Sequence, residues 1–346
     1  MTHWKLVMLD FGRNPVHFGD LGIGMEESGE RAYSDTLFSA WVSSYARLFG
    51  GEAVEQLFAR FPKQAQSPPL EPPFRLGSTF VYYNETYYLP RPINQPRGYP
   101  KDDLAFAKEY KKLNYLPLKI WQRWYQGKGF ADETELKDKV THSTATGDLA
   151  KAGAFNYGKA FGAQRIPKVS LDRTTRASNF YHVGFVQFQP DAGLYFLIYF
   201  PEADLSLEAE LEAALTFLGD EGIGGERSSG AGRFTATWHD LDETWNSVVN
   251  FKQSNFYSLI SLLWEHPFAS EYLQGASYVL RERGGWIASP VSGQQARRQS
   301  VQMFTEGSVF PQSISGMLAN VTPGNFKAHP IYRSGISLSL PIYLAS

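Results

Sequence analysis

The apolar pattern changes period twice between Leu194 and His239, and this stretch limits the fold more than any other. Leu194–Phe200 is apolar at consecutive positions, so a strand here is buried on both faces. Leu207, Leu211, Ala214, Leu215 and Leu218 then recur at helical spacing and mark an amphipathic helix. A glycine-rich segment, Gly222–Gly232, follows, and Arg233–His239 returns to strand. Upstream, Trp4–Asp10 reads as a strand and Gly12–Gly29 as a loop. Ser34-Asp35-Thr36 supplies capping side chains for a helix over Leu37–Phe49, whose buried stripe is Leu37, Ala40, Trp41, Leu48 and Phe49. Phe180–Phe188 reads as the hairpin partner of Leu194–Phe200. The order is then strand, helix, hairpin, helix, strand, the βαββαβ order of a ferredoxin-like fold.

The remaining segments fit around this unit. A short helix is expected at Ala53–Phe61, ended by Pro68, Pro69, Pro72 and Pro73. Thr79–Leu89 suggests a hairpin turning at Asn84-Glu85, and residues from about 90 to 167 look like an irregular insertion. The last hundred or so residues read as a second small α+β unit, with strands near Tyr278–Glu282, Ser300–Thr305 and Ile336–Leu344. Pro341 cannot donate to a ladder, so the last of these is expected at a sheet edge. The expected class is α+β: two ferredoxin-like (RRM-like) domains with a large insertion and a glycine-rich loop. Their bounds are 1–240, with the insertion at about 90–167, and 241–346.

The chemistry that can be excluded is broad. The chain has no cysteine, which removes disulfides, thiolate catalysis and cysteine-ligated zinc. Its histidines are isolated, without a metal-ligand partner three to five residues away. There is no G-x-S-x-G elbow and no H-E-x-x-H, and Gly153–Ala160 misses the P-loop pattern because Ala160 stands at its Ser/Thr position. The pairs Asp102-Asp103 and Glu26-Glu27 sit in polar surroundings and read as surface. No metal or cofactor is expected. Met1–Asp10 lacks the features of an export signal and no stretch is apolar enough to span a bilayer, so a cytoplasmic protein is expected.

Net charge is −2, yet its distribution favours an anionic ligand. Pro201–Glu226 holds eight acids and no Lys or Arg, leaving 33 Lys/Arg against 27 acids elsewhere. Between Asp148 and Gln189, Lys151, Lys159, Arg165, Lys168, Arg173 and Arg176 face only Asp148 and Asp172. Separate acidic and basic segments let one surface hold an anion and another hold a different partner. The glycine loop has the right residues for the first task. Its glycines let backbone N–H groups turn toward an anion at close range, Arg227 and Arg233 add charge, and Ser228 and Ser229 add hydroxyls. A tight helix-to-strand turn with an incidental Arg is the competing account.

Gly222-Ile-Gly-Gly-Glu-Arg-Ser-Ser-Gly-Ala-Gly-Arg-Phe234 resembles the signature glycine loop of the RAMP superfamily of CRISPR proteins. Pro15-Val-His-Phe-Gly19, Ser34-Asp-Thr-Leu-Phe-Ser-Ala40, Leu89-Pro-Arg-Pro92, Lys112–Leu118 and Val169–Arg176 narrow the resemblance. So do Glu306–Phe310, Val321-Thr-Pro323 and His329-Pro-Ile-Tyr-Arg333. In order and spacing they are similar to the handle-capping subunit of the type III-A (Csm) interference complex. One departure is Asn320, where the family tends to have an acid before Val-Thr-Pro.

The resemblance implies a non-catalytic subunit that binds the repeat-derived 5′ handle of the crRNA. It also implies contacts with the large signature subunit and with a backbone RAMP subunit. The residues expected at RNA are His17, Ser34, Thr36, Lys168, Arg173, Arg176, Arg227, Ser228, Ser229, Gly230, Gly232, Arg233, His329, Tyr332 and Arg333. Two rival readings remain open: a metal-independent RAMP endonuclease with His17 as general base on a 2′-OH, and a scaffold that touches only proteins.

Overall fold

The computed structural model describes residues 3–20, 24–63, 70–99, 102, 104, 107, 110, 111, 113–129, 154–172, 174, 175, 177–287 and 296–345, the side chains of 154–156 excepted. Strand β1 is His3–Asp10, and helix α1 runs from Ser34 to Ala59. Four short strands follow: β2 (Arg75–Leu76), β3 (Phe80–Tyr83), β4 (Thr86–Pro90) and β5 (Tyr115–Pro117). After α2 (Leu118–Tyr125), β6 (Phe161–Leu171) and β7 (Ser178–Phe188) form a long antiparallel hairpin. The N-terminal part closes with β8 (Ala192–Phe200), α3 (Leu205–Glu221), β9 (Thr235–Asp240) and α4 (Glu243–Val249).

The strand that is apolar on both faces organises the sheet. β8 pairs antiparallel with β1 on one side, Val7 opposite Phe196, and with β3 on the other, Phe80 opposite Tyr195. The sheet order is β5-β4-β3-β8-β1-β9, with β2 also beside β8. The hairpin expected between Phe180–Phe188 and Leu194–Phe200 is therefore not formed. A central strand has two neighbours, and β1 and β3 already fill both places. β7 pairs instead with β6, which lies in the segment read as irregular. The strand–helix–strand–strand–helix–strand order is kept, with Phe80–Tyr83 standing where Phe180–Phe188 was expected.

Local readings fare unevenly. The β3–β4 hairpin turns at Asn84, whose φ of +52° is a conformation Asn tolerates. The two expected helices over 37–61 both form and are separated at Gly50, where φ is +88°, ψ is 172° and the backbone is not helical. Leu37 and Trp41 are buried as expected, whereas Leu48 and Phe49, beside that break, are exposed. Ser34-Asp35-Thr36 does not cap α1: Tyr33 holds the capping position, without a side-chain bond.

The sheet is covered on both faces. Val7, Leu9, Phe196 and Ile198 pack with Leu37, Trp41, Leu211 and Leu215 of α1 and α3. On the other face Leu6, Phe80, Tyr195 and Leu197 share a core with Trp121, Trp245 and C-terminal residues Leu338, Leu340 and Ile342. The C-terminal strands are β10 (Phe256–Leu259), β11 (Leu280–Arg283), β12 (Val301–Phe304), β13 (Val309–Phe310), β14 (Leu318–Asn320), β15 (Tyr332–Ser334) and β16 (Ser339–Ile342). They form the antiparallel sets β13-β10-β16, β11-β12 and β14-β15. β16 lies at a sheet edge with Pro341 opposite Tyr257, as its proline required. The only helical element among the described residues beyond Asn250 is a 3-10 turn, Ser270–Leu273.

Candidate nucleic-acid interface

The glycine loop lies against the segment after β1. Gly225 N–H donates to the His17 carbonyl (2.8 Å), Gly232 N–H to the Pro15 carbonyl (2.8 Å) and Ile223 N–H to the Gly232 carbonyl (2.9 Å). Ser229 and Gly230 N–H close the turn on Glu226 and Arg227. These amides are thus engaged within the protein. A Cβ at Gly232 would collide with the Ile223 carbonyl oxygen, and one at Gly224 with that of His17. Close approach to phosphate is therefore not why these glycines are needed; close approach to the chain's own backbone is. Gly230 differs: φ is +87°, and nothing lies within 4 Å of its would-be Cβ.

What the loop presents outward is charge. Arg227, Ser228, Ser229 and Arg233 are exposed, and neither arginine has an ion-pair partner among the described residues. Lys168, on β6, reaches the loop, where its Nζ pairs with Glu226 and donates to Ser229 Oγ (3.1 Å). The loop and the β6–β7 hairpin are thereby joined. Beyond that joint, Val169, Leu171 and Phe180 are exposed apolar residues on the hairpin. Arg173 and Arg176 lie outside the described residues.

Other residues expected at RNA are buried in this structure. Ser34 is 2% exposed; its N–H donates to Ser78 Oγ (2.8 Å), and its Oγ accepts from Leu262 N–H (3.0 Å). Arg333 is also 2% exposed and pairs with Asp35, which is fully buried. Arg283 binds the same carboxylate through two nitrogens at 3.0 Å and donates to Thr36 Oγ1 (3.0 Å). Asp20 accepts from Arg283 on the other side (2.7 Å). Burial alone would raise the Asp35 pKa, but Arg283 and Arg333 together hold it below the ordinary carboxylate value. This cluster ties the start of α1 to β11 and β15. Sequence reading missed it because Ser, Asp and Thr at a helix start are also ordinary caps.

His17 is 9% exposed, and its Nδ1 lies 2.7 Å from the Gly184 carbonyl. Gly225 packs on its ring. It is buried as a packing post for the glycine loop, and among the described residues no acid or lysine is bonded to it to support general-base chemistry. His329 is exposed beside Phe326. Tyr332 is half-buried between Phe58 and Lys63. Asn320 Oδ1 accepts from Thr322 N–H (3.1 Å) and Thr322 Oγ1 (2.6 Å), using only an oxygen that Asp would also supply.

Similarity to known proteins follows the same lines. The solved Csm3-Csm4 subcomplex of the type III-A CRISPR-Cas interference complex superimposes with a TM-score of 0.62 at 20% identity, covering 98% of this chain and 99% of that one. A Csm1-Csm4 cassette solved with cA4 gives 0.58 at 19% identity over the whole of both chains. The chain shares its fold with these structures. Csm4 proteins of Mycobacterium tuberculosis (strain H37Rv) and Methanocaldococcus jannaschii are 28% and 25% identical, over 99% and 89% of this chain and 97% and 86% of theirs. Residues 252–342 match the CRISPR Csm4 C-terminal domain, and over nearly its whole length the chain is similar to Csm4 proteins.

Proposed function

We propose that this chain binds the repeat-derived 5′ handle of the guide RNA and joins the large signature subunit to the backbone RAMP subunits of a cytoplasmic type III-A complex. It does so without contributing catalysis. The carrying observation is the pair of exposed arginines, Arg227 and Arg233, held on a loop whose backbone is otherwise engaged and braced by Lys168. Guanidinium groups fixed on a rigid loop suit single-stranded phosphates. Solved relatives occur with Csm3 and with Csm1, which supports the bridging role. The βαββαβ core of residues 1–240 reads as one ferredoxin-like unit, and 241–346 as a second that is reduced to short strands. His17, enclosed by Gly225, gives the endonuclease reading no support.

The test is photo-crosslinking in a reconstituted complex whose guide carries 4-thiouridine through the handle. Handle crosslinks to peptides containing Arg227 or Arg233 are expected. Crosslinks confined to other subunits would end the reading, and cleavage of repeat RNA by the purified chain would restore the nuclease.

A further inference from the structure

A groove of about 520 Å3 opens beside the glycine loop and is used by none of the contacts above. Its walls are the loop after β1, the base of the β6–β7 hairpin and the turn into β8: Asp10, Arg13, Gln164, Gln187, Gln189 and Asp191 supply the polar groups. Phe188 and Pro190 give it an apolar side, and Gly12 and Gly162 keep it open. Nothing lies within 4 Å of a Cβ built on Gly162. The volume falls within the roughly 300–1,000 Å3 of small-ligand pockets. Asn14 Nδ2 donates to the Arg233 carbonyl (3.3 Å), which binds this rim to the strand leaving the glycine loop.

The polar groups select the ligand. Asp10 and Asp191 both line the groove, so two negative charges converge here. Phosphate inside the groove would be repelled. No third metal-ligating side chain joins them among the described residues. Arg13 is exposed at the rim, with no ion-pair partner among the described residues. Gln164 Nε2 donates to Gln187 Oε1 (3.1 Å) and Gln187 Nε2 to the Arg13 carbonyl (3.4 Å), leaving the Gln164 Oε1 acceptor and one N–H on each amide. Asp10 accepts from Gly12 N–H through Oδ1 (2.8 Å), which orients the carboxylate.

We infer that this groove takes a nucleobase bearing an exocyclic amino group, guanine best, with its phosphate outside against Arg13. Carboxylates and amides pair with base edges, and guanine offers one carboxylate two adjacent N–H donors. Uracil, with a single N–H, fits least. The inference rests on the RNA-binding reading for its natural source, a nucleotide of the guide. A free nucleotide has the same chemistry, and the experiment separates the two.

The full-length chain is titrated with GMP, AMP and UMP by calorimetry. Its reconstituted complex is titrated with handle oligonucleotides made abasic at one position at a time. GMP should bind at least about tenfold tighter than UMP, and Asp10→Asn should remove most of that preference. Gly162→Phe, at a site with room for a side chain, should abolish GMP binding while the circular dichroism spectrum is unchanged. One abasic position should weaken the wild type by roughly tenfold and leave Gly162→Phe unaffected. Equal binding of GMP and UMP overturns the base assignment. Handle binding that is insensitive to Gly162→Phe, without GMP binding, overturns the groove and leaves the RNA reading standing. GMP binding that Gly162→Phe blocks, in a complex that ignores the handle, keeps the groove as a nucleotide site and removes the RNA reading.

Discussion

At the scale of single residues, the glycines of the loop divide by what surrounds them. Gly232 has φ +79° and meets the Ile223 backbone, whereas Gly230 has φ +87° and open space. Gly232→Ala must push one backbone strand off another, so a loss of about 3 kcal/mol or more is expected. Gly230→Asn keeps an allowed left-handed residue and should cost about 1 kcal/mol or less. Urea denaturation of the two variants checks this; equal losses would mean that the loop does not pack as described. Asp35 is the opposite kind of residue, a buried charge held by two guanidiniums. Asp35→Asn leaves Arg283 and Arg333 without their shared counter-charge, and a loss of about 3–5 kcal/mol is expected in the same assay. The sequence marks Asp35 only as a polar residue at a helix start, because its partners lie some 250 positions and more away in the chain.

At the scale of elements, periodicity found what packing needs and adjacency misled. Leu207, Leu211, Ala214, Leu215 and Leu218 are all buried in α3, and β8 is buried along nearly its whole length. The expected β7–β8 hairpin does not form, because β1 and β3 occupy the two edges of β8. β6 was illegible because Gln164, Arg165, Pro167 and Lys168 break any alternation, and it is paired but largely exposed. The acidic stretch proved less free than its composition suggests: α3 pairs Glu221 with Arg47, and Asp204 before it pairs with Arg60. Those pairs make a control for the loop. Log affinity for single strands falls with log salt at a slope of about −0.7 per neutralised phosphate. Arg227→Ala with Arg233→Ala should therefore flatten the salt dependence of handle binding by about 1.4. Arg47→Ala with Arg60→Ala should leave it unchanged. Equal flattening by both pairs would mean diffuse attraction and no site on the loop.

At the scale of the whole molecule, the two halves are bound by a shared core and by buried acids. The C-terminal residues Leu338, Leu340 and Ile342 cover the sheet face formed by Leu6, Tyr195 and Leu197, so residues 1–240 alone would expose it. Two carboxylates add to the join. Asp35 meets Arg283 and Arg333, and Glu306 meets Arg31 and Ser78. Burial opposes ionisation of Glu306, but Arg31 and the Ser78 hydroxyl outweigh it and hold the pKa below the ordinary value, as the two arginines do for Asp35. A carboxylate with a depressed folded-state pKa binds fewer protons folded than unfolded. Its stabilisation is complete above the unfolded values, about 3.9 for Asp and 4.3 for Glu, and is lost as pH falls through the folded ones. Urea midpoints should accordingly be level with respect to these two groups from pH 7 to about 5 and fall steeply below about 4. Asp35→Asn with Glu306→Gln should be less stable at pH 7 and show a shallower acid limb. Fluorescence and far-ultraviolet circular dichroism should trace one coincident transition at each pH, since the halves share a core. An acid limb as steep in the double variant as in the wild type would show that these carboxylates do not govern the join.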